Sequence, residues 1–177
     1  SAKLQVGHPP GAPLFQMLGA IFSTFAFESD QIALSVNMMS VTSSALTILF
    51  LFWSISYLIK QQGELDEDPI TINEAFKIFG SSALGCLTFT FTDSFWFNAV
   101  EAEVYAMATL ILSLLFWLGL KWIDNLDSKR GDKWLILICF VIGLSFGVHF
   151  MGLLAIPAIG LLYYFKKYSF SIKSVSY

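Results

Sequence analysis

Two carboxylates lie close together at the head of a long apolar stretch, in the segment DSFWFNAVEAEVY of residues 93–105. Asn98 followed by Glu101 is a capping-box pattern with Asn in the Ser/Thr position, and it predicts a helix over residues 99–123. On such a helix, residues two apart point roughly 200° apart, so Glu101 and Glu103 cannot share one partner. A cap explains Glu101 as well as a functional role does. Glu103 would lie one turn inside a membrane helix, where a carboxylate usually faces a wet cavity, a cation or a ligand.

Composition indicates the class of protein. Hydrophobic residues make up 56% of the 177 residues and charged residues 13%, whereas soluble domains carry about 25% charged residues. The chain is therefore predicted to be an all-α, polytopic helical membrane protein. A net charge of −3 without a basic, aromatic-interleaved patch argues against a nucleic-acid partner. No HExxH, Walker, GxGxxG or GxSxG motif and no paired-Cys zinc spacing occurs.

The apolar stretches predict about five spanning helices and one shorter helix. Residues 12–27 would form a helix of about 24 Å, short of the roughly 30 Å hydrocarbon core, so a juxtamembrane helix is predicted there. The last apolar block is too long for one span, and its glycines and Pro157 favour two helices that meet near His149. The predicted membrane helices cover residues 31–59, 74–92, 99–123, 134–148 and 152–166.

The positive-inside rule orients this layout. Nine of the ten Lys and Arg side chains fall on one face and only Lys3 falls on the other, so the first face is predicted to be cytoplasmic. The acidic and histidine side chains that could act in catalysis or binding are then predicted on the opposite, non-cytoplasmic face: His8, Glu28, Asp30, Asp93, Glu101, Glu103 and His149. For His8 a plain loop position beside prolines, and for His149 a packing position at a helix turn, are as open as a functional role.

The segments GHPPGAPLFQMLG, DSFWFNAVEAEVYAM and GLSFGVHFMGLLAIPA resemble the protein O-mannosyltransferase-like family of membrane glycosyltransferases that includes transmembrane protein 260. The resemblance covers nearly the whole chain. It implies a GT-C fold in a multi-pass protein of a bacterial inner membrane or an ER-type membrane. The implied activity is transfer of a mannose-like sugar from a polyprenyl-phosphate donor to an acceptor hydroxyl on protein, at the non-cytoplasmic face. The family's acidic motif would lie upstream of Ser1, so we expect this stretch alone to be an inactive fragment.

The resemblance also suggests roles for residues. Such a transfer needs a base for the acceptor proton, neutralisation of the phosphate leaving group and a dry, fixed geometry. The catalytic candidates are Glu103, Glu101 and His8. The two glutamates would act through a divalent cation, Mg or Mn, or would position the sugar hydroxyls, while His8 would donate to the phosphate. The substrate-binding candidates are Pro9, Pro10, Asp93, Tyr105 and His149.

Two other classes of protein fit the same residues. An ion- or proton-coupled transporter would use Glu103 for coupling, and would show inverted repeats and broken helices. A structural membrane subunit would not depend on Glu103 at all.

Overall fold

The structure is a computed structural model that describes residues 12–62 and 70–168. Every regular element in these two ranges is helical, which confirms the all-α prediction. The elements are α1 (Pro13–Ser23), a 3₁₀ turn (Ser29–Gln31), α2 (Ile32–Gln62), α3 (Ile72–Ala75), a π-helical segment (Phe76–Gly80), α4 (Ser81–Thr90), α5 (Asp93–Val100), α6 (Val104–Asp124), α7 (Asp132–Ser145), a 3₁₀ helix (Phe150–Leu154) and α8 (Ala155–Lys167).

The predicted helix bounds differ from the observed ones in three informative places. The juxtamembrane helix of residues 12–27 ends earlier, at Ser23, where Ser23 and Thr24 hydroxyls donate to carbonyls of the last turn. The helix of residues 74–92 starts at Ile72, because Thr71 and Glu74 form a reciprocal capping box. The helix of residues 99–123 starts only at Val104. The predicted break near His149 is confirmed, since α7 ends at Ser145 and a new helix begins at Phe150.

Three helical stretches are long and apolar enough to span a membrane, judged by length and composition: Ser29–Gln62, Val104–Asp124 and Phe150–Lys167. At about 1.5 Å per residue, the 14-residue α7 is about 21 Å long, which is shorter than the hydrocarbon core. The 11-residue α1 is shorter still. The total of about five spans therefore stays a prediction.

Helix α6 forms the centre of the described bundle and packs against α2, α7 and α8. Its buried residues include Met107, Ile111, Leu115 and Leu118, which join residues of α1, α2, α7 and α8 in one core. Apart from Met39, the buried residues of α2 are small hydroxyl residues, namely Ser40, Ser43, Ser44, Thr47 and Ser54. Small side chains allow helices to approach closely, which is the main source of association where lipid tails are as apolar as the side chains.

Helices α2 and α6 run in the same direction. The Tyr57 hydroxyl near the end of α2 donates to the carboxylate of Asp124 at the end of α6. Ser44 in the first half of α2 and Ala106 at the start of α6 line a common cavity. Their first residues therefore lie at one end of the bundle and their last residues at the other.

Helix α4 packs antiparallel to α2. Ser56 donates to Ser82 across a 2.9 Å hydrogen bond, whereas Cys86, further along α4, lies 3.8 Å from the carbonyl oxygen of Ile48, further back along α2. The chain thus returns along α4 to the end of the bundle at which α2 begins. Cys86 is a buried free thiol, whereas Cys139 is a free thiol that is exposed.

Helix α8 runs parallel to α6. An added Cβ on Gly119 would lie 2.9 Å from Ile159, and the rings of Trp122 and Tyr163 stack one turn further along with centroids 5.4 Å apart. Because α2, α6 and α8 run in the same direction, the lysines near their last residues lie at one end of the bundle. These are Lys60, Lys121, Lys166 and Lys167. The other end, where α5 meets α6 and where α7 finishes, carries Asp93, Glu101, Glu103 and His149. We call these the lysine end and the glutamate end.

We expect the two ends to lie on opposite sides of the membrane. Asp93 and Lys129 are both exposed, so single cysteines at these positions, in a variant that lacks Cys86 and Cys139, will react with a membrane-impermeant thiol reagent from opposite sides. Intact cells and permeabilised cells give the two measurements. Modification of both positions from the same side would refute the layout.

A second expectation concerns the packing between α7 and the 3₁₀ helix. A Cβ on Gly152 would lie 2.5 Å from Ser145 Oγ and 2.6 Å from Ser145 Cβ, and Ser145 is fully buried. Gly152→Ala will therefore force the two segments apart and destabilise the protein by about 1–3 kcal/mol.

The matched control is Gly143→Ala, because nothing lies within 4 Å of a Cβ at Gly143. Thermal unfolding in one detergent should show a lower Tm for Gly152→Ala alone. Equal Tm values for the two variants would show that the junction accommodates the extra methyl group.

Candidate functional site

The two glutamates lie in a short non-helical link between α5 and α6, rather than on one helix. The backbones of Glu101 and Glu103 are both extended, and the Glu103 amide donates to the Glu101 carbonyl over 2.8 Å. This i to i+2 hydrogen bond is a γ-turn around Ala102. The argument that Glu101 and Glu103 must point in different directions on a helix therefore does not apply.

The predicted capping box at Asn98 is wrong. Asn98 lies inside α5, and its side-chain amide donates to the Ser94 carbonyl over 2.7 Å instead of capping α6. The aromatic segment that begins at Asp93 forms its own short helix, α5, which ends at Val100, before α6 begins at Val104. An acidic link is favourable at this point because negative charge stabilises the N-terminus of α6.

Both carboxylates are exposed, and neither caps a helix through its side chain. Glu101 follows the C-terminus of α5, where a carboxylate has no free backbone N–H of that helix to accept from, and Glu103 immediately precedes α6 without a side-chain cap hydrogen bond. A cap therefore no longer explains Glu101. The sequence predicts Glu103 one turn inside the membrane helix, where desolvation of its carboxylate would be costly, but it lies before the helix begins. That cost is therefore no reason to prefer Glu103 over Glu101 as a functional residue. The two residues are now equivalent candidates on one exposed link.

Tyr105 and His149, two predicted substrate-binding residues, are brought together. Their ring centroids are 5.5 Å apart with an interplanar angle of 50°. His149 is the N-cap of the 3₁₀ helix, and its Nδ1 accepts a hydrogen bond from the Met151 amide over 3.2 Å. A neutral imidazole that accepts at Nδ1 carries its proton on Nε2. His149 is thus a helix-capping residue that keeps a free N–H donor beside the start of α6.

Helix α1 is anchored at the same turn. The amides of Leu14 and Phe15 both donate to the Gly147 carbonyl, over 2.8 and 3.2 Å. A Cβ on Gly147 would lie 2.8 Å from Leu14 Cβ, so the close approach requires glycine here. The start of α1 therefore lies against the turn that carries His149. The predicted residues His8, Pro9 and Pro10 precede this point and lie outside the described residues.

Asp93 is the first residue of α5 and is exposed. The eight residues of α5 separate it from Glu101 by about 12 Å. Asp93 thus lies at the glutamate end but at the far terminus of α5, away from the link.

A small cavity lies between α2, the α4–α5 turn and α6, and the sequence did not reveal it. Its volume is about 160 Å³, and it is lined by Ser44, Phe89, Thr92, Ser94, Phe95, Asn98, Ala106 and Thr109. The lining residue Ala106 of α6 follows Glu103 by three residues, so the cavity lies about one helical turn from the Glu101–Glu103 link. Its polar groups come from three parts of the chain, and only a predicted packing of the helices could have brought them together.

Within residues 12–62 and 70–168, no group of three His, Cys, Asp or Glu side chains is arranged to hold a metal ion. By themselves, Glu101 and Glu103 offer two carboxylates in one turn, which suits a hard divalent cation only if other oxygen ligands complete its shell. A substrate phosphate could supply such oxygens. The metal role of the two glutamates stays a prediction.

Comparison with known proteins adds an independent finding. The sequence profile of a family described as "Protein O-mannosyl-transferase TMEM260 N-terminal domain" matches residues 1–172. The chain is 27% identical over 146 residues to "Protein O-mannosyl-transferase TMEM260" of Mus musculus, with 81% of this chain and 18% of the relative covered. It is 24% identical over 130 residues to "Protein O-mannosyl-transferase tmem260" of Dictyostelium discoideum, with 73% and 14% covered.

The aligned regions span less than a fifth of the length of these two relatives. No solved structure matches the chain significantly. The profile match extends over almost every residue, including the HPP segment, the two glutamates and the His149 turn. It agrees with the resemblance seen in the three quoted segments, and the chain therefore belongs to the family of the protein O-mannosyl-transferase TMEM260 N-terminal domain.

Proposed function

We propose that this chain is the membrane domain of a protein glycosyltransferase that takes a mannose-like sugar from a polyprenyl-phosphate donor and transfers it to a hydroxyl group of a protein acceptor. The observation that carries the proposal is the profile match over residues 1–172, together with relatives that are named protein O-mannosyl-transferases. The polyprenyl-phosphate donor and the GT-C type of fold are further parts of this proposal, and they rest on the resemblance described above.

The proposed site is the glutamate end of the bundle. In the transfer, the acceptor oxygen forms a bond to the anomeric carbon while the bond to the phosphate oxygen breaks, and the acceptor proton passes to a base. Glu101 and Glu103 are proposed to hold the sugar or a divalent cation beside the phosphate. The Nε2–H of His149 can donate to a phosphate oxygen, with Tyr105 keeping the imidazole in place. The base is proposed to be a carboxylate from a loop that precedes this sequence in the family.

The distribution of lysines between the two ends of the bundle indicates which side of the membrane the proposed site faces. The lysine end carries Lys60, Lys121 and Lys166, and positively charged ends face the cytoplasm. We therefore propose a multi-pass protein of a bacterial inner membrane or an ER-type membrane, with the glutamate end on the non-cytoplasmic side.

The donor class can be tested directly with the purified full-length protein. It should transfer radiolabelled mannose from polyprenyl-phosphate mannose to a Ser/Thr-containing acceptor peptide and should not use a nucleotide-linked mannose. Efficient transfer from the nucleotide sugar, with none from the lipid-linked donor, would overturn the proposed donor. A chelator added to both reactions tests the proposed divalent cation at the same time.

A further inference from the structure

The small cavity beside the Glu101–Glu103 link has the size and lining of a site for a neutral ring. Its volume is about 160 Å³ and it opens to the surface. A closed cavity of about 150 Å³ holds benzene, so the ring of a sugar fits here only with part of its hydroxyl groups in the opening. None of the eight lining residues carries a charge. Such a lining offers a phosphate or a cation no side chain of opposite charge, whereas it offers hydroxyl, amide and aromatic groups to a neutral ring.

One residue that lines the cavity has a buried hydroxyl that the described part of the chain leaves without a hydrogen-bond partner. Ser44 is only 5% exposed, and its hydroxyl has no hydrogen-bond partner within the described residues. Its neighbours on the same face of α2 differ, since Ser43 and Thr47 each donate to the carbonyl four residues back. A buried hydroxyl without a partner costs free energy. The Ser44 hydroxyl oxygen is inaccessible in this rotamer, so it must rotate about the Cα–Cβ bond to donate to a ligand in the cavity.

The remaining lining provides both polar and apolar contacts. The side-chain amide of Asn98 uses one N–H for the Ser94 carbonyl, and an amide has a second N–H and an oxygen to offer. The rings of Phe89 and Phe95 lie 4.6 Å apart on another side of the cavity. A pyranose ring has hydroxyl groups around its rim and C–H groups on its faces, so hydroxyl, amide and aromatic groups together suit it.

We propose that this cavity binds the neutral sugar ring of the transferred residue, while the charged phosphate stays outside, near the Glu101–Glu103 link. The assignment of the sugar as the transferred residue rests on the proposed function. The cavity lies one turn along α6 from Tyr105, so a sugar bound there is next to the link. Ser44 is in this account a substrate-positioning residue.

The test compares two buried serines on α2 whose hydroxyls have no partner among the described residues, and of which only Ser44 lines the cavity. Ser40 is 1% exposed and its hydroxyl is also unpartnered, but Ser40 does not line the cavity. Ser44→Ala in the full-length protein should raise the KM for polyprenyl-phosphate mannose about 2- to 10-fold, the usual effect of losing one hydrogen bond to a neutral group. The value of kcat should change little, since the contact is made before and during the reaction. Ser40→Ala should leave KM at the wild-type value.

A second measurement does not depend on transfer. In a full-length protein without Cys86 and Cys139, a Ser44→Cys variant should react with methyl methanethiosulfonate, and methyl α-mannoside should slow this reaction while inorganic phosphate should not. Ser40→Cys serves as the control, and its reaction rate should not depend on the mannoside.

The outcomes separate the two proposals. If lipid-linked transfer occurs but Ser44→Ala and Ser40→Ala have the same KM, the cavity does not hold the sugar and the proposed function stands. If no lipid-linked sugar is transferred while methyl α-mannoside still protects the cysteine at position 44, the sugar site stands and the proposed function fails. An unreactive cysteine at position 44, or protection by phosphate instead of the mannoside, overturns the assignment of this cavity.

Discussion

Replacing Glu103 by Gln in the full-length protein will reduce sugar transfer by about 100-fold or more. A carboxylate that supports a cation or positions the reacting sugar contributes orders of magnitude to the rate, and the amide of Gln cannot replace its charge. The stability of the fold should barely change, because Glu103 is exposed and makes no side-chain cap hydrogen bond to α6. The transfer rate and the Tm are measured on the same purified samples of the wild type and the variant.

Glu101→Gln is the companion variant, because both residues lie on the same exposed link. A large loss of transfer in both variants would indicate that the two carboxylates act together, as a shared cation or sugar contact requires. A loss only in Glu103→Gln would assign the role to that residue alone. Full activity in both variants would show that the link has no part in catalysis.

The second large effect is expected at His149. His149→Ala removes the acceptor for the Met151 amide, the contact with the Tyr105 ring and the Nε2–H donor, so transfer should fall about 10- to 100-fold. Some of this loss could come from the missing cap, because removing an N-cap costs about 1 kcal/mol of stability.

His149→Asn separates these two contributions. Asn is among the best N-cap residues, so this variant should keep the 3₁₀ helix and the wild-type Tm but lack the imidazole. We expect His149→Asn to remain as poor in transfer as His149→Ala. Recovery of near wild-type transfer in His149→Asn would show that His149 serves the fold only.

Much of the architecture could be predicted from the sequence because the relevant signals are local. The apolar stretches predicted helices, and the glycines around His149 predicted the break between α7 and the 3₁₀ helix. The spacing of lysines predicted which helix ends lie together. These features depend on neighbouring residues or on the order of the segments.

The link between α5 and α6 could not be predicted in the same way. Asn98 and Glu101 have the spacing of a capping box, but Asn98 also fits inside a helix, where its amide donates to Ser94. Which pattern forms depends on whether the Asp93–Val100 segment folds as a separate helix, and its packing against α2 contributes to that choice. Local propensity is a weak guide where tertiary contacts decide.

The cavity was missed for a related reason. Ser44, Asn98 and Thr109 are unremarkable polar residues in sequence, and each has a structural explanation when considered alone. They form one site only because α2 and α6 run in the same direction and α5 closes their glutamate end. A sequence pattern within one helix contains no information on that arrangement.

Transfer in sealed proteoliposomes of known orientation tests the central claim most directly. Labelling of a cysteine at position 93 or 129 from outside gives the fraction of molecules with the glutamate end outward. With polyprenyl-phosphate mannose in the bilayer and a membrane-impermeant acceptor peptide added outside, we predict a transfer rate proportional to that fraction and abolished by Glu103→Gln. A rate proportional to the fraction with the lysine end outward would contradict the location of the site, and with it the account of Glu101, Glu103 and His149.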